Sequence, residues 1–362
     1  MIYISTRYYD NATYNLVFTV ETVQYNKYQE AWNTNVAIAQ TKELKVKGLK
    51  VNADGAEYNT TTKSNMFKMT HPATDQTPAQ TEYRYIGDNP NNYVYFNCDS
   101  LENQSSSTCE VWRIIGVFDV DDGTGNYEQR IKLVRGSALP DKKQWDDTPE
   151  LGKNEWVGST MQTYLNDNGD YYMRSGLALN YGLKVTAKSL ISDAKYYLGG
   201  APNHSKYGTA DAMYLWERSI TVYIYDKDNS IRSTSWVGKV ALMYPSDEYL
   251  VYANEVDAAC YADPTKCYVD SFGTAEDNGI PSNGWIYNSN NLEGQYSPYN
   301  NWFISTYAFN NMDTFIVDSN GWLSGKYYAV SSCGVRPVLY LSSNVKITDG
   351  TGEQNNPYKL GL

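Results

Sequence analysis

The chain has 362 residues, of which 41% are hydrophobic, and its formal net charge is −11. This length suits two domains, and the hydrophobic fraction is enough to build a core. The acidic balance excludes a basic nucleic-acid-binding surface and disfavours binding to anionic membranes.

Tyrosine is the compositional outlier, with 35 residues, and nine tryptophans accompany it. A tyrosine side chain has an apolar body and a polar tip, so it serves both in strands and at binding surfaces. We therefore expect a β-rich extracellular protein, although strand preference alone is the alternative explanation. No apolar run reaches the ~20 residues that span a bilayer, and we expect any export signal or membrane anchor to be missing from this sequence.

The first 81 residues differ from the rest of the chain in composition and in the pattern of apolar residues. Residues 15–23 and 44–51 predict strands, the second by its alternation of apolar and polar positions, and residues 36–40 are a candidate partner. Residues 59–80 are rich in Thr, Asn, Pro and Lys, which is typical of a linker. The sequence predicts a small β-domain with its linker over residues 1–81 and a second domain over 82–362.

The five cysteines fall into two close pairs and one single residue. Cys98 and Cys109 bracket a polar loop, and Cys260 and Cys267 bracket another. Two such pairs predict two local disulfides and an oxidising location. Zinc would favour tighter cysteine spacing and histidine partners, and neither histidine lies beside a cysteine. Cys333 is predicted to be a buried thiol.

The second domain opens with strands. We predict them at residues 83–86, 93–97, 110–120 and 129–135, and the turn DDGTGN between the last two indicates a hairpin. The acidic residues at this turn suggest a calcium loop as an alternative, but their spacing differs from that of an EF-hand. We therefore predict no cofactor, and calcium has no motif to support it.

Helices follow the hairpin. They are predicted from Ser159 or Thr160 to about residue 165, then at 171–179, 190–198 and 209–218, with Thr209 as the N-cap of the last. Strands return at residues 220–225 and 237–243. The order of strands, helices and strands predicts an α+β fold with an antiparallel core rather than a doubly wound sheet.

The segment from residue 244 to 299 has few periodic apolar residues, and loops of this length are usually functional. Aromatic and amide side chains crowd its end, a combination that binding surfaces use. We expect Trp302 and Tyr299 to anchor a ligand, although a tryptophan here is equally a candidate for the core. The predicted ligand-binding residues are Trp285, Tyr287, Asn288, Tyr296, Tyr299, Asn300, Asn301, Trp302 and Tyr307.

Motifs of common catalytic sites are missing from the sequence. It contains no G-x-S-x-G, phosphate loop, H-E-x-x-H or dinucleotide fingerprint. With two histidines in polar surroundings, a Ser-His-Asp site is not expected. A carboxylate pair for glycoside hydrolysis stays open, since such residues come from distant positions. We predict that the protein is not an enzyme.

A resemblance covers residues 82–362. It rests on the order of five segments, at residues 83–98, 109–125, 196–200, 236–249 and 333–360. In these the chain resembles a large set of uncharacterised surface proteins of gut Firmicutes and Mollicutes-like bacteria. Members of that group often carry a prepilin-type or signal-anchor N-terminus. The resemblance implies a displayed recognition domain.

The end of the chain also resembles the C-type-lectin fold of formylglycine-generating enzymes and retroelement-diversified binding proteins. In that fold a glycine–aromatic (or aliphatic)–arginine strand closes the domain, and Gly334, Val335 and Arg336 match it. The enzyme branch is similar in having a pair of active-site cysteines, whereas Cys333 stands alone. We expect Arg336 to be structural, paired with a buried carboxylate or with carbonyls.

These observations predict an adhesin-like protein at the cell surface or outside the cell. A C-type-lectin-like α+β domain would present the aromatic and amide surface to a glycan or a surface protein of another cell. The alternatives are a pilin-like subunit of a surface filament, with a C-terminal tail that adds a strand to a neighbour, and a phage-encoded receptor-binding protein. We expect no nucleic-acid partner and no membrane span.

Overall fold

The structure is a computed structural model of the chain. It describes residues 45–50, 66–87, 89–149, 152–166, 182–200, 209–220, 232–250, 285–286, 300–308, 310–318 and 323–362. Residue contacts divide the chain into two compact units, Met1–Glu43 and Leu44–Leu362. All the described residues belong to the second unit, so the strands predicted at residues 15–23 and 36–40 lie outside them.

Short antiparallel strands make up most of the described structure. In chain order they are β1 (Lys45–Val46), β2 (Leu49–Lys50), β3 (Phe67–His71), β4 (Gln80–Arg84), β5 (Tyr93–Phe96), β6 (Glu110–Asp121), β7 (Tyr127–Arg135), β8 (Lys143–Gln144), β9 (Ala194–Tyr197), β10 (Ser235–Gly238), β11 (Val240–Ala241), β12 (Asn301–Thr306), β13 (Asp313–Val317), β14 (Leu323–Tyr328), β15 (Ser332–Cys333), β16 (Val338–Tyr340), β17 (Lys346–Asp349) and β18 (Lys359–Gly361). The described helices are α1 (Thr160–Asn166), α2 (Val185–Ser189), α3 (Ala210–Glu217) and α4 (Pro245–Tyr249).

A seven-stranded antiparallel sheet forms the centre of this unit. Its order is β11-β16-β7-β6-β4-β3, and β5 pairs with the first part of β6. The strand pair β6 and β7 is the hairpin predicted from the turn DDGTGN, where Asp121 accepts hydrogen bonds from the backbone N–H groups of Gly123 and Gly125 at 2.8 and 2.9 Å. Near the C-terminus, β16 lies between β7 and β11.

The long strand β6 changes neighbours at a β-bulge. Its pairing with β7 shifts between Ile114 and Gly116. A Cβ atom at Gly116 would lie 2.0 Å from the carbonyl oxygen of Tyr83 in β4, so only glycine allows this approach. The bulge lets one side of β6 pair with β5 along its first half and with β4 along its second half.

The N-terminal boundary differs from the predicted one. Residues 44–51, predicted as one strand, form the β1–β2 hairpin, because Lys47 and Gly48 adopt positive φ angles of 53° and 85° and turn the chain. The predicted boundary at residues 81 and 82 falls inside β4, and β3 on its N-terminal side belongs to the same sheet. Composition suggested a linker there, but the Pro- and Thr-rich residues 72–79 are the connection between two paired strands.

Smaller sheets cover the central one. The strands β12, β13 and β14 form a three-stranded sheet, and β9–β10, β8–β15 and β17–β18 are two-stranded pairs. The last strand is held by Gln104, whose side chain donates to the carbonyl of Leu360 at 2.7 Å and accepts from its N–H at 3.0 Å. Tyr95 donates from its backbone N–H to the carbonyl of Tyr358 at 2.9 Å, so the C-terminal segment is paired within the chain.

The predicted helix starts at residues 159–160 and 209 are confirmed. The hydroxyl of Ser159 accepts the N–H of Gln162 at 3.0 Å, and that of Thr209 accepts the N–H of Ala212 at 3.3 Å. The helix predicted at residues 190–198 is wrong, since this segment contains β9, which pairs with β10 about forty residues later. The helix at 171–179 and the strand at 220–225 fall largely outside the described residues.

Aromatic rings join the smaller sheets to the central one. Successive ring centroids lie 5.4–6.0 Å apart in a continuous row of seven rings: Tyr327, Trp302, Trp145, Trp156, Trp236, Tyr196 and Tyr340. Edge-to-face and tilted contacts of this kind stabilise a core beyond the area they bury. The predicted β-rich, antiparallel α+β class is confirmed. Among the described helices, none has the length and apolar character needed to cross a membrane.

Candidate functional site

The two tryptophans predicted to bind a ligand lie in the core. Trp302, in β12, has no exposed surface, and its Nε1 donates to the carbonyl of Lys143 at 2.8 Å. Trp285 is equally buried and donates to the carbonyl of Tyr85 at 2.8 Å. A ring without exposed surface offers a ligand no face to stack on, so both tryptophans fit the alternative reading, that of core residues.

The other described members of the predicted set also lack an open surface. Asn301 is buried and packs against Gly334, where a Cβ atom would lie 2.4 Å from the Asn301 Oδ1. Asn300 is half-buried and accepts the N–H of Gly334 through its backbone at 2.7 Å. Tyr307 is buried beside Phe315. Tyr287, Asn288, Tyr296 and Tyr299 lie outside the described residues.

One predicted disulfide is confirmed, and the second lies outside the described residues. Cys98 and Cys109 are bonded, whereas Cys260 and Cys267 are not among the residues described. Cys333 is a buried free thiol, as predicted, and burial raises its pKa to about 12. A thiol that stays protonated at neutral pH is a poor nucleophile.

The predicted structural role of Arg336 is confirmed. Its buried guanidinium donates to the carbonyls of Arg135 at 3.2 Å and Ile286 at 2.5 Å. The acidic turn between β6 and β7 uses its carboxylates differently from a calcium loop. Asp121 accepts two backbone N–H groups and pairs with Lys195 at 3.4 Å, and within the described residues no cluster of metal-ligating side chains occurs.

A chain of buried charges crosses the sheet on the side of α3 and α4. We call it the ionic chain, and it alternates in sign through Asp211, His71, Glu82, Arg84, Asp247 and Lys132. At one end the imidazole of His71 lies between two carboxylates. Its Nδ1 is 2.7 Å from Asp211 and its Nε2 is 2.9 Å from Glu82.

The other half of the ionic chain links the sheet to α4. Arg84 donates to Glu82 at 2.5 Å and to Asp247 at 3.1 Å. Asp247 also accepts from Lys132 at 2.5 Å and from the backbone N–H of Tyr244 at 3.0 Å. Buried charges are tolerated when each has a partner of opposite sign, and this alternation satisfies that condition.

The pKa shifts of Glu82 and His71 favour the charged form of each. Burial alone would raise the pKa of Glu82, but Arg84 and His71 hold it well below its usual range. Burial alone would lower the pKa of His71, but Glu82 and Asp211 raise it. Burial lowers the pKa of Lys132 to about 8, against the attraction of Asp247.

A polar cleft opens above this chain, and we call it the tyrosine cleft. It encloses about 380 Å³ of space between atoms, counting the part that is open to solvent. Glu82 of the ionic chain and Asp119 contribute to its lining. Burial raises the pKa of each of its four tyrosines, so their hydroxyls stay neutral. The cleft is defined by Tyr197, Tyr214, Tyr244, Tyr340, Lys195 and Arg218.

Arg218 is the cation at the centre of these rings. Its guanidinium carbon lies 3.4 Å from the ring centroid of Tyr214, 5.3 Å from that of Tyr244 and 5.6 Å from that of Tyr197. The opposite face of Tyr214 stacks on His71 with a centroid distance of 3.7 Å. Cation–π contacts stabilise a buried cation without neutralising its charge.

The acids near the cleft are already occupied. Asp119 is half-buried and accepts the N–H of Thr81 at 3.2 Å, and its pKa is raised, chiefly by burial. Glu217, beside Arg218, accepts the N–H of Ser246 at 2.9 Å and its hydroxyl at 2.5 Å. Burial raises the pKa of Glu217 to about 7, so it is partly protonated near neutrality.

Such a cleft suits recognition of a polar group. Tyrosines, carboxylates and two cations from several elements line it together. One of the carboxylates, Glu82, is held in place by its partners in the ionic chain. The sequence prediction missed this site because its residues are far apart in the chain. The one local signal is the four-residue spacing of Tyr214 and Arg218, which places both on one face of the predicted helix at 209–218.

Comparison of the chain with protein families, with curated proteins and with solved structures found no match.

Proposed function

We propose that this chain is an extracellular or cell-surface recognition protein that binds a polar group of a partner glycan or surface protein in the tyrosine cleft. The observation that carries the proposal is that four tyrosines, Arg218 and Lys195 line one partly open cleft together. Glycan-binding and protein-binding sites use such groups to hold hydroxyls and charged groups in a fixed orientation. The disulfide between Cys98 and Cys109 supports an oxidising location.

The proposal is for binding without catalysis. Cys333 is buried with a raised pKa, so it offers no reactive thiol of the formylglycine-generating type. His71 is fixed between two carboxylates, and the hydroxyl of Ser246 donates to Glu217. In a Ser-His-Asp site the serine hydroxyl donates to the histidine. Here the Ser246 hydroxyl donates to a glutamate, and both nitrogens of His71 contact carboxylates.

We further propose that the main unit has a C-type-lectin-like fold. Two observations support this. The strand β16 follows Gly334, Val335 and Arg336 and lies in the central sheet between β7 and β11. Arg336 is anchored to backbone carbonyls, as a closing segment of that fold would require.

A filament subunit is the rival from a different class. Its motivation in the sequence was a C-terminal tail able to pair with a neighbouring subunit. The backbone of Tyr358 and Leu360 is instead bonded to Tyr95 and Gln104 of the same chain. A phage-encoded receptor-binding protein remains the same recognition module on a different particle.

The test is binding of the purified chain to a glycan array and to intact cells, with two variants. Lys195→Ala removes a half-buried cation of the cleft, and we expect it to weaken binding about tenfold, which corresponds to ~1.4 kcal/mol. Lys239→Ala is the control, because Lys239 also pairs with an aspartate, Asp193 at 3.1 Å, in a more exposed setting, and does not line the cleft. Equal effects of the two variants would contradict the proposed site.

The same samples separate recognition from assembly. Electron microscopy and light scattering should find a monomer or a small closed oligomer if the chain is a recognition protein. Ordered filaments whose formation is lost in Lys195→Ala would instead assign the cleft to an assembly interface, and the proposed function would fall.

A further inference from the structure

Arg218 is the cation of the tyrosine cleft whose hydrogen-bonding capacity is least used. Its Nη1 donates to the carbonyl of Tyr214 and to Glu217, both at 3.2 Å. Within the part of the chain that the structure describes, these are the hydrogen bonds of its guanidinium group. Its Nε and Nη2 make no hydrogen bond there, and neither atom is fully buried. Both nitrogens therefore keep some exposed surface, and Arg218 is one of the residues that line the cleft.

Arg130, a buried arginine elsewhere in the sheet, uses the hydrogen-bonding capacity of its guanidinium group more fully. Arg130 is exposed to a similarly small extent, 3% against 5% for Arg218. Its Nε and Nη2 both donate to Glu128, at 3.1 and 2.9 Å, and its Nη1 donates to the carbonyl of Asp193 at 2.5 Å. All three guanidinium nitrogens of Arg130 thus donate hydrogen bonds within the described residues, while only one nitrogen of Arg218 does.

Helix capping explains only part of the geometry at Arg218. The residue caps the C-terminus of α3, and its Nη1 binds the carbonyl of Tyr214 one turn earlier. A cation at a helix C-terminus is favourable, but this role leaves the rest of the guanidinium fork open. Its carboxylate partner Glu217 makes a single contact with it and gives its remaining capacity to Ser246.

We propose that Arg218 anchors one carboxylate group of an acidic sugar in the tyrosine cleft, through Nε and Nη2; this rests on the proposed function. A planar guanidinium fork matches the two oxygens of a carboxylate. A buried cation with an incomplete counter-charge gains from a ligand that brings one. The tyrosine hydroxyls and Asp119 then face the sugar hydroxyls beside the carboxylate.

The charges around the cleft favour a single negative charge over two. Glu82, Asp119 and Asp121 all line it. Glu82 is neutralised by His71 and Arg84, and Asp121 by Lys195, but Asp119 is not paired with a cation in any described contact. A phosphate monoester carries close to two charges at neutral pH, so these carboxylates disfavour it relative to a carboxylate sugar.

The polar lining also favours a sugar over the C-terminus of a peptide. Apart from Phe118 and Val120, the lining side chains carry hydroxyl, amide or charged groups. A terminal amino-acid residue would place its side chain among them, whereas a sugar carries hydroxyls around the edge of its ring that these groups can bind.

The experiment is a titration of the whole chain with four matched small probes: glucose, glucuronate, glucuronic acid methyl ester and glucose 6-phosphate. Saturation-transfer NMR reports binding, and thermal unfolding reports the folded state. We expect glucuronate to bind about tenfold more tightly than its ester or glucose, the difference of one good charged contact. This comparison uses the unmodified chain, so it stands even where a variant fails to fold.

Variants then assign the effect to one residue. Arg218→Lys keeps the charge but loses the fork, and we expect it to bind glucuronate as weakly as glucose. Arg130→Lys is the control and should bind as the unmodified chain does. The proposal is overturned if glucose or the ester binds as tightly as glucuronate, if glucose 6-phosphate binds best, if only a C-terminal peptide carboxylate binds, or if no probe binds.

The failure of this inference and that of the proposed function are distinguishable. If array glycans bind in a Lys195-dependent way but are neutral, recognition stands and the carboxylate anchor falls. If glucuronate binds through Arg218 while no array glycan or cell is bound, the anchor stands and the recognition function falls.

Discussion

Trp302 has a sequence context that predicts an exposed binding residue, whereas in the fold its side chain is fully buried. In the sequence it directly follows Tyr299, Asn300 and Asn301, a setting typical of a recognition loop. In the fold it belongs to β12, where all six positions are buried, including Asn301, Ser305 and Thr306. Alternation of polar and apolar residues predicts one solvent-facing side, and a polar strand buried on both sides gives no such signal.

A stability measurement on Trp302 separates the two readings. Since the ring is fully buried between Trp145 and Tyr327, we expect Trp302→Ala to lower the free energy of unfolding by about 3–5 kcal/mol. Urea unfolding followed by circular dichroism measures this. Tyr328→Ala, at a ring that is 49% exposed in β14, is the control and should change stability little. Unchanged unfolding of the tryptophan variant would contradict its place in the core.

The role of an arginine was predictable only where the surrounding sequence indicated its position in the fold. The structural role of Arg336 followed from its place in a closing strand, and the structure confirms it through carbonyl partners. Arg84 and Arg218 were not predicted, because their partners Asp247 and Tyr244 lie far away in the chain. A single sequence carries no signal that joins them.

Among the elements, those whose partner is adjacent in the chain were predicted best. Residues typical of a tight turn lie between β6 and β7, which form a hairpin. Thr209, a typical N-cap residue, precedes α3. The segment 190–198 was predicted as a helix because β9 carries few local strand signals. Its pairing with β10 spans some forty residues, and such non-local pairing decided its conformation.

The helix α4 is fixed to the sheet by one carboxylate. Asp247 receives hydrogen bonds from Arg84, Lys132 and the backbone N–H of Tyr244. Removing it leaves the buried Lys132 without its carboxylate partner and leaves Arg84 with Glu82 alone, so we expect Asp247→Ala to destabilise the chain by about 3–5 kcal/mol. Thermal unfolding measures the effect. Asp193→Ala is the control, since its exposed pair with Lys239 contributes little. Equal melting of the two variants would contradict a structural role for the ionic chain.

The disulfide loop holds the C-terminal strand through Gln104. The bond between Cys98 and Cys109 closes a loop with a sequence separation of 11, and closure of a loop near this size stabilises by about 3 kcal/mol in the chain-entropy description. We expect Cys98→Ser/Cys109→Ser to lower the melting temperature and to increase amide exchange at Leu360, whose N–H and carbonyl bind Gln104. Exchange unchanged at Leu360 would indicate that the loop holds its shape without the bond.

For the whole molecule, composition predicted the class of the fold better than its boundaries. A Tyr-rich, antiparallel α+β unit was expected and is present. The start of that unit was not, because β3 lies in the segment that resembles a linker in composition, and β1 and β2 lie in the segment that was assigned to a separate domain. Pairing with β4 across the sheet, rather than residue type, assigns β3 to the unit.

The charges of the whole molecule make its stability depend on pH in an uncommon direction. Burial raises the pKa of Glu217 to about 7 and that of Glu248 to about 8. The pKa of His71 is also raised, since Glu82 and Asp211 outweigh its burial. In each case the folded chain binds a proton more tightly than the unfolded chain. This stability is fully present below the unfolded pKa, about 4.3 for glutamate and about 6.5 for histidine, and is lost as pH rises through the folded value.

We therefore expect the melting temperature to fall between pH 5 and pH 8. Glu82 and Asp247 act in the opposite direction, but their pKa values are lowered, so their stability is lost only as pH falls through the acid range. Differential scanning calorimetry across this range measures the slope. Glu217→Gln mimics the protonated acid and should flatten it, while Glu353→Gln, at an exposed site, should leave it unchanged. A melting temperature that rises from pH 5 to pH 8 would mean that Glu217, Glu248 and His71 do not hold their protons more tightly in the folded chain.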